Sequence, residues 1–171
     1  GAVAVGALVA DAHNDSDVYV TAKNSKLNKD KANAATVIEA KKDNQVNAEI
    51  EGGAVGLVDG VGLSSTASDK GSANVTLDKN QIGGKKIEAK ATAVPRVNAI
   101  VDNDAYGILA IQVSEATARA MTSTNLTVSD GNELFADNVL LESAVGTGNE
   151  TTAKADVVSV NGSAIAASGS T

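Results

Sequence analysis

The sequence predicts an all-β fold, a parallel β-solenoid in which repeats of about 54 residues stack one on the next. Three observations predict it. One stretch is stated three times and begun a fourth: GAVAVGALVADA from Gly1, GAVGLVDGVGLS from Gly53, GILAIQVSEATARA from Gly107 and GSAIAAS from Gly162. Its opening glycines are 52, 54 and 55 residues apart, a period that belongs to arrays rather than to one enclosed domain. The chain is 43% hydrophobic but only 2% aromatic, with one Phe, two Tyr and no Trp. Ala and Val cannot fill a wide core, so the interior must be thin, as it is between stacked strands. Finally, apolar residues alternate with period two, the signature of strand.

The 171 residues divide on this reading into units 1–52, 53–106 and 107–161, with the start of a fourth at 162–171. In the first unit Val3, Val5, Ala7 and Val9 fall on one side of a strand and Ala2, Ala4, Gly6, Leu8 and Ala10 on the other. Apolar residues on both sides predict that both faces are covered. His13-Asn14-Asp15-Ser16-Asp17 reads as a turn, 18–22 as a strand, 23–33 as an exposed loop and 36–40 as a strand. A charged turn at 41–44 then leads to a strand at 45–50.

The second unit repeats the order, with a polar turn at 64–72, strand 73–77, turn 78–84 and strands at 86–89 and 96–101. The third gives strand 124–128, turn 129–132 and strands at 139–143 and 155–160. Residues 114–121, SEATARAM, contain good helix formers but occupy a strand slot. They are read as strand, with Glu115, Thr117, Arg119 and Met121 on one side and Ala116, Ala118 and Ala120 on the other.

Repeated words set the expected register. VNAEI at 46–50 returns as VNAIV at 97–101. Thr21, Thr76 and Thr127 form one expected column and Glu39, Glu88 and Glu142 another. The bulky pairs Val3/Val5, Val55/Leu57 and Leu109/Ile111 are expected to form the core columns. Whether a repeat makes one layer or two of about 27 residues is open from the sequence.

The phrase order GALVADAHNDSDVYVTAKNS…TVIEAKKDNQVNAEIEGGAVG resembles the repeats of large bacterial filamentous adhesins, the leukotoxin-type and filamentous-haemagglutinin-like group of Gram-negative surface proteins. The resemblance covers the whole chain. It implies a right-handed β-helix stalk, exported across the outer membrane and displayed at the cell surface, where it holds adhesive tips away from the cell or binds host surfaces. It brings no catalytic residues with it.

Composition narrows the partners. The net charge of −7 argues against nucleic acid, which needs a basic surface. No apolar run approaches the roughly 18 residues of a membrane helix, so no membrane insertion is expected. With no cysteine, neither a disulfide nor a thiolate metal site can form. The pattern begins and stops in mid-repeat, which predicts a segment of a longer array. The expected partners are neighbouring repeats, identical chains stacked end to end and host-surface glycan or protein.

No catalytic, cofactor or metal site is expected. The one histidine, His13, lies among Asp11, Asp15 and Asp17 and reads as part of a solvated turn. One histidine without cysteine makes a triad or a zinc site improbable. Oxygen-rich turns at 11–17, 102–104 and 130–133 suit weak Ca2+ binding, but none fits an EF-hand loop or a β-roll nonapeptide. Sequons occur at Asn14, Asn74, Asn125, Asn149 and Asn161, as expected in a chain rich in Asn, Ser and Thr. The repeated glutamates read as an outward acidic column rather than a differentiated acid/base pair. The expected function is a non-enzymatic extracellular stalk or adhesin segment; the alternative is a subunit of a self-assembling fibre or surface layer.

Overall fold

The computed structural model describes residues 3–30, 33–146 and 152–171; Gly1, the first opening glycine, lies outside them. The described residues form ten strands and no helix. These are β1 (Val3–Asn14), β2 (Val18–Lys23), β3 (Lys26–Leu27), β4 (Ala35–Asp78), β5 (Gln81–Gly83), β6 (Lys86–Val128), β7 (Glu133–Phe135), β8 (Asn138–Val145), β9 (Thr152–Asn161) and β10 (Ile165–Ser170). All the strand pairings are parallel. One seven-stranded sheet contains β1, β2, β4, β6, β8, β9 and β10; β3, β5 and β7 form a second, narrow one.

Each strand pairs with the sequence one whole repeat away. Val3 lies beside Val58 and Val58 beside Leu109, while Leu109 also pairs with Ile165. VNAEI pairs letter for letter with VNAIV, from Val46 beside Val97 to Ile50 beside Val101. The threonine column is likewise as expected, Thr21 beside Thr76 beside Thr127. Pairing at a full repeat makes one layer per repeat, so the two-layer alternative is not what forms.

The sheet curls so that its sides face one another across a thin interior. Ser65 Oγ donates to the carbonyl of Ala48 at 2.9 Å, and Asn103 Nδ2 to Ser114 Oγ at 2.8 Å, each across that interior. Two apolar clusters fill it. One contains Val46, Ile50, Leu63, Val97 and Val101, with Ala67 and Ala99 between them. The other contains Ile38, Val75, Leu77, Ile82 and Ile87 and is closed by the narrow sheet. Alanine recurs in both clusters because the facing sides approach closely.

Several expectations are corrected. The charged turn at 41–44 and the polar turn at 64–72 do not interrupt the ladder; both lie inside β4. Gly71 takes up the bend near residue 72: its φ is 100°, and a Cβ there would sit 2.1 Å from the carbonyl oxygen of Ser16 in the layer beside it. Only Gly or a strained residue fits. The loop at 23–33 contains a strand, β3, whose Leu27 packs against the second cluster. The run 114–121 is strand with the expected faces, and Glu115 is exposed while Ala116 is buried.

Gly107 pairs with Gly56, while Gly53 pairs with Asp104. A Cβ on Gly107 would lie 2.4 Å from the carbonyl oxygen of Gly56, so the stacked glycines let the corner turn. The bulky pairs are not core columns. Val3, Val5, Val55, Leu57 and Ile111 are all exposed and Leu109 is half-buried. The corner puts 57–58 and 108–109 outward, leaving Asp59, Val61 and Leu63 to face in. The outer face of this side is therefore uncovered, against the expectation that both faces are buried.

Candidate functional site

The alternation that makes β1 a strand sends Asp11 and His13 to its outer side, where both are about half exposed. His13 pairs across the ladder with Ser68. Its Nε2 lies 2.8 Å from Asp11 Oδ1 and its Nδ1 lies 2.5 Å from Ser68 Oγ. In the tautomer with Nε2–H directed at the carboxylate, Nδ1 accepts a hydrogen bond from the Ser68 hydroxyl. An Asp–His–Ser chain is thus present where the sequence predicted a solvated turn. The signal that could have found it is the register, since Ser68 is one repeat beyond His13. Ser68 is itself buried and the chain of bonds ties one layer to the next. Asp15 lies outside the strands and takes no part in it.

Asp17 holds the adjacent bend. Its Oδ1 accepts from the backbone N–H of Ser72 at 2.6 Å and from Ser72 Oγ at 2.8 Å. These bonds, with one from the Tyr19 hydroxyl, hold its carboxyl below the ordinary carboxylate value.

Between the two apolar clusters lies a buried ion pair that the sequence reading missed. Lys42 Nζ is 2.5 Å from Asp69 Oδ1, with the side chains 1% and 0% exposed. Asn14 Nδ2 donates to the same oxygen at 2.6 Å. Asn44, in the amide orientation that satisfies its neighbours, accepts from Lys42 Nζ at 2.8 Å and from Asn14 Nδ2 at 2.6 Å. The cluster draws on residues from two layers, Lys42 and Asn44 in one and Asp69 in the next, so it fixes how they sit. Local sequence cannot show this, because KKDN alone reads as surface.

A second polar region occupies the corner end of the interior. Gln112 Nε2 donates to the carbonyls of Asn103 and Val160 at 3.2 and 2.9 Å, and Ser159 Oγ donates to Gln112 Oε1 at 3.0 Å. Asp59 is buried there, and neither of its carboxylate oxygens has a partner among the described residues. The oxygen-rich turn expected at 102–104 is in fact strand, and Asn103 points inward.

The expected glutamate column does not form. Glu39 pairs with Lys90, and Lys90 with Glu142, giving an alternating column along an outer groove of about 230 Å³. Glu88 lies beside Val37 and Leu140 instead. Its carboxyl accepts from Lys86 Nζ at 2.6 Å and lies 3.4 Å from Lys90 Nζ, which holds its pKa below the usual value. Asp43 is lowered in the same way, first by its hydrogen bond from Arg96.

At the remaining oxygen-rich turn, Gly131 bends the chain and Asn132 Nδ2 donates to the carbonyl of Leu77 at 2.9 Å. Among the described residues no group of three or more His, Asp or Glu is placed to hold a metal ion. Of the sequon asparagines, Asn14 and Asn74 donate to Asp69 and Ser72, Asn125 is exposed and Asn161 accepts from Ser163; Asn149 lies outside the described residues. Comparison of the chain with known protein families, with curated proteins and with solved structures finds no match.

Proposed function

We propose that the chain is a non-enzymatic extracellular β-solenoid segment, a stalk that extends from a bacterial surface and makes or presents adhesive contacts. The observation that carries this reading is the register. Strands of each repeat pair in parallel with equivalent strands of the next, so added repeats would add layers without changing the cross-section. On this reading the curled sheet is the wall of a parallel β-helix. A right-handed path follows from the general preference of parallel crossover connections. The outward faces then carry the contacts to host glycan or protein, and the acidic balance keeps nucleic acid away. The sequence resemblance to filamentous adhesins supports the cell-surface setting.

Small-angle scattering on a chain with its three repeats duplicated tests the stalk. The rod should lengthen by about 15 Å at constant cross-section. Growth in all dimensions would count against it. A binding screen with host glycans and matrix proteins tests adhesion separately.

A second reading, a subunit of a self-assembling fibre or surface layer, is favoured by a specific feature. Among the described residues β1 and β2 pair only with β4, and β8, β9 and β10 pair only with β6. Their other edges are ready to pair with an identical chain stacked end to end. Negative-stain images at high concentration distinguish long fibres from single short rods.

A further inference from the structure

β10 occupies a place that a second copy of the chain, stacked end to end, would need. Along the opening strand the register runs from Val3 to Val58 to Leu109, and Ile165 takes the far side of Leu109. β10 thus begins a fourth layer, but only over residues 109–114. Among the described residues, the third-layer strands at 124–128, β7, β8 and β9 have no ladder partner on that side.

Carried one period further, the same register places residues 3–14 of a second copy beside 109–120 and its 18–22 beside 124–128. Its 35–42 fall beside 138–145 and its 45–54 beside 152–161. At the narrow sheet its Lys26 meets Glu133, opposite in charge, whose Oε2 already accepts from Gln81 Nε2 at 2.8 Å. Only one edge is contested: residues 3–8 of the second copy and β10 claim the same partners, 109–114. Seating the second copy beyond β10 instead would hold all its other strands one layer, about 4.8 Å, too far from theirs.

β10 holds that edge weakly. Its six residues are all exposed, and none belongs to either apolar cluster. Thr171 extends it by one bond in each direction, donating to the Ser114 carbonyl at 3.1 Å and accepting from the Ala116 N–H at 3.0 Å. Past that point the edge at 117–120 is open among the described residues. β1 is twice as long, and in its own copy Ala10 and Ala12 pack against the first apolar cluster. In the exchange Leu8 of the second copy would replace Ser170 beside Ser114. We propose that β10 is a displaceable strand that gates end-to-end assembly. β1 of the second copy docks first on the open edge at 117–120 and then takes 109–114 from β10. Main-chain bonds lost with β10 are remade with β1, as in other strand additions at a sheet edge. The strands beyond it then supply the gain. The proposal rests on the fibre reading above and adds the step that controls it.

Sedimentation velocity on the full chain from about 1 to about 200 µM, a range that brackets micromolar dissociation, tests the gate with two variants. Thr171 both donates and accepts in the ladder, so the two-residue alternation gives Ala167 the same role. Ala167→Pro removes that donor and loosens β10 without touching either apolar cluster. It should assemble at a concentration lower than the unaltered chain needs by roughly tenfold or more. Ile111→Cys combined with Ala167→Cys, a paired and exposed position on each strand, locks β10 in place through a disulfide. The oxidised protein should stay monomeric, and reduction of the same sample should restore assembly. Because the lock is reversed within one sample, it decides the matter even if Ala167→Pro folds poorly. Equal assembly of the unaltered, loosened and locked chains would overturn the gate while leaving the fibre reading standing. Absence of assembly in all of them, the loosened and the reduced chains included, would overturn both.

Discussion

The two ends of each layer are built on different principles. At the end closed by the narrow sheet, Leu77, Ile82 and Ile87 are fully buried, and the buried polar side chains Thr36 and Asn80 donate to the carbonyls of Gly83 and Ala22. At the corner end the interior carries Asp59, Asn103, Gln112 and Ser114, and three of their buried oxygens have no partner among the described residues. The first end gains from hydrophobic burial. The second carries desolvated polar groups whose unmade hydrogen bonds oppose folding. Lys42 and Asp69 lie between the two. The difference teaches that a repeat can stack in register without repeating its interior chemistry, since the ladder fixes the backbone and each layer chooses its own side chains.

The largest effect should come from the polar joint between the ends. Lys42→Ala leaves the Asp69 carboxylate buried without its cation and should cost about 3–5 kcal/mol, read by chemical denaturation. Lys42→Met combined with Asp69→Leu should recover most of that loss, because a buried pair replaced by apolar groups of similar size is often neutral. Next comes the apolar end. Ile87→Ala removes a fully buried side chain and should cost about 2–5 kcal/mol. The corner should answer with the opposite sign. Asp59→Leu removes a buried unpartnered carboxylate and should be neutral or stabilising by about 1–3 kcal/mol, and a clear loss of stability would show that Asp59 is satisfied by something else.

The smallest effect is that of pH. Asp17, Asp43 and Glu88 have lowered pKa values in the folded chain. Their contribution is fully present above the ordinary carboxylate values of 3.8 for Asp and 4.5 for Glu and is lost as the pH falls through the lowered folded values. All three lie at the surface, so melting temperature should fall only modestly below about pH 4. Asp17→Asn should remove the part of this dependence that comes from the bend at Ser72.

Strand content and register were largely legible in the sequence, because VNAEI/VNAIV and the threonine column are repeated words on repeated backbone. The glutamate column was misread for a physical reason. Ile38-Glu39-Ala40 and Ile87-Glu88-Ala89 spell the same word, but the ladder sets Ile38 beside Ala89. A slip of two residues keeps every side chain on its own face, so alternation cannot reveal it. The faces of β1 were misread because both are apolar; only the ladder tells them apart, since Val3, Val5 and Ala7 lie beside outward Val58, Gly60 and Gly62 while Leu8 lies beside buried Leu63. Lys42–Asp69 and His13–Ser68 could not be read locally, since each joins residues of different layers. They become visible only once the register is known.

The account rests on that register, and the absence of cysteine allows a direct measurement. Paired residues on adjacent strands lie about 5 Å apart, within the Cα separation a disulfide spans. Thr76→Cys combined with Thr127→Cys should oxidise to an intramolecular disulfide in the folded chain, detected by mass spectrometry and by its mobility on non-reducing gels. Thr76→Cys with Asn125→Cys, two residues out of register, should not. Efficient bridging of the off-register pair, or none in the paired one, would contradict the stacked architecture.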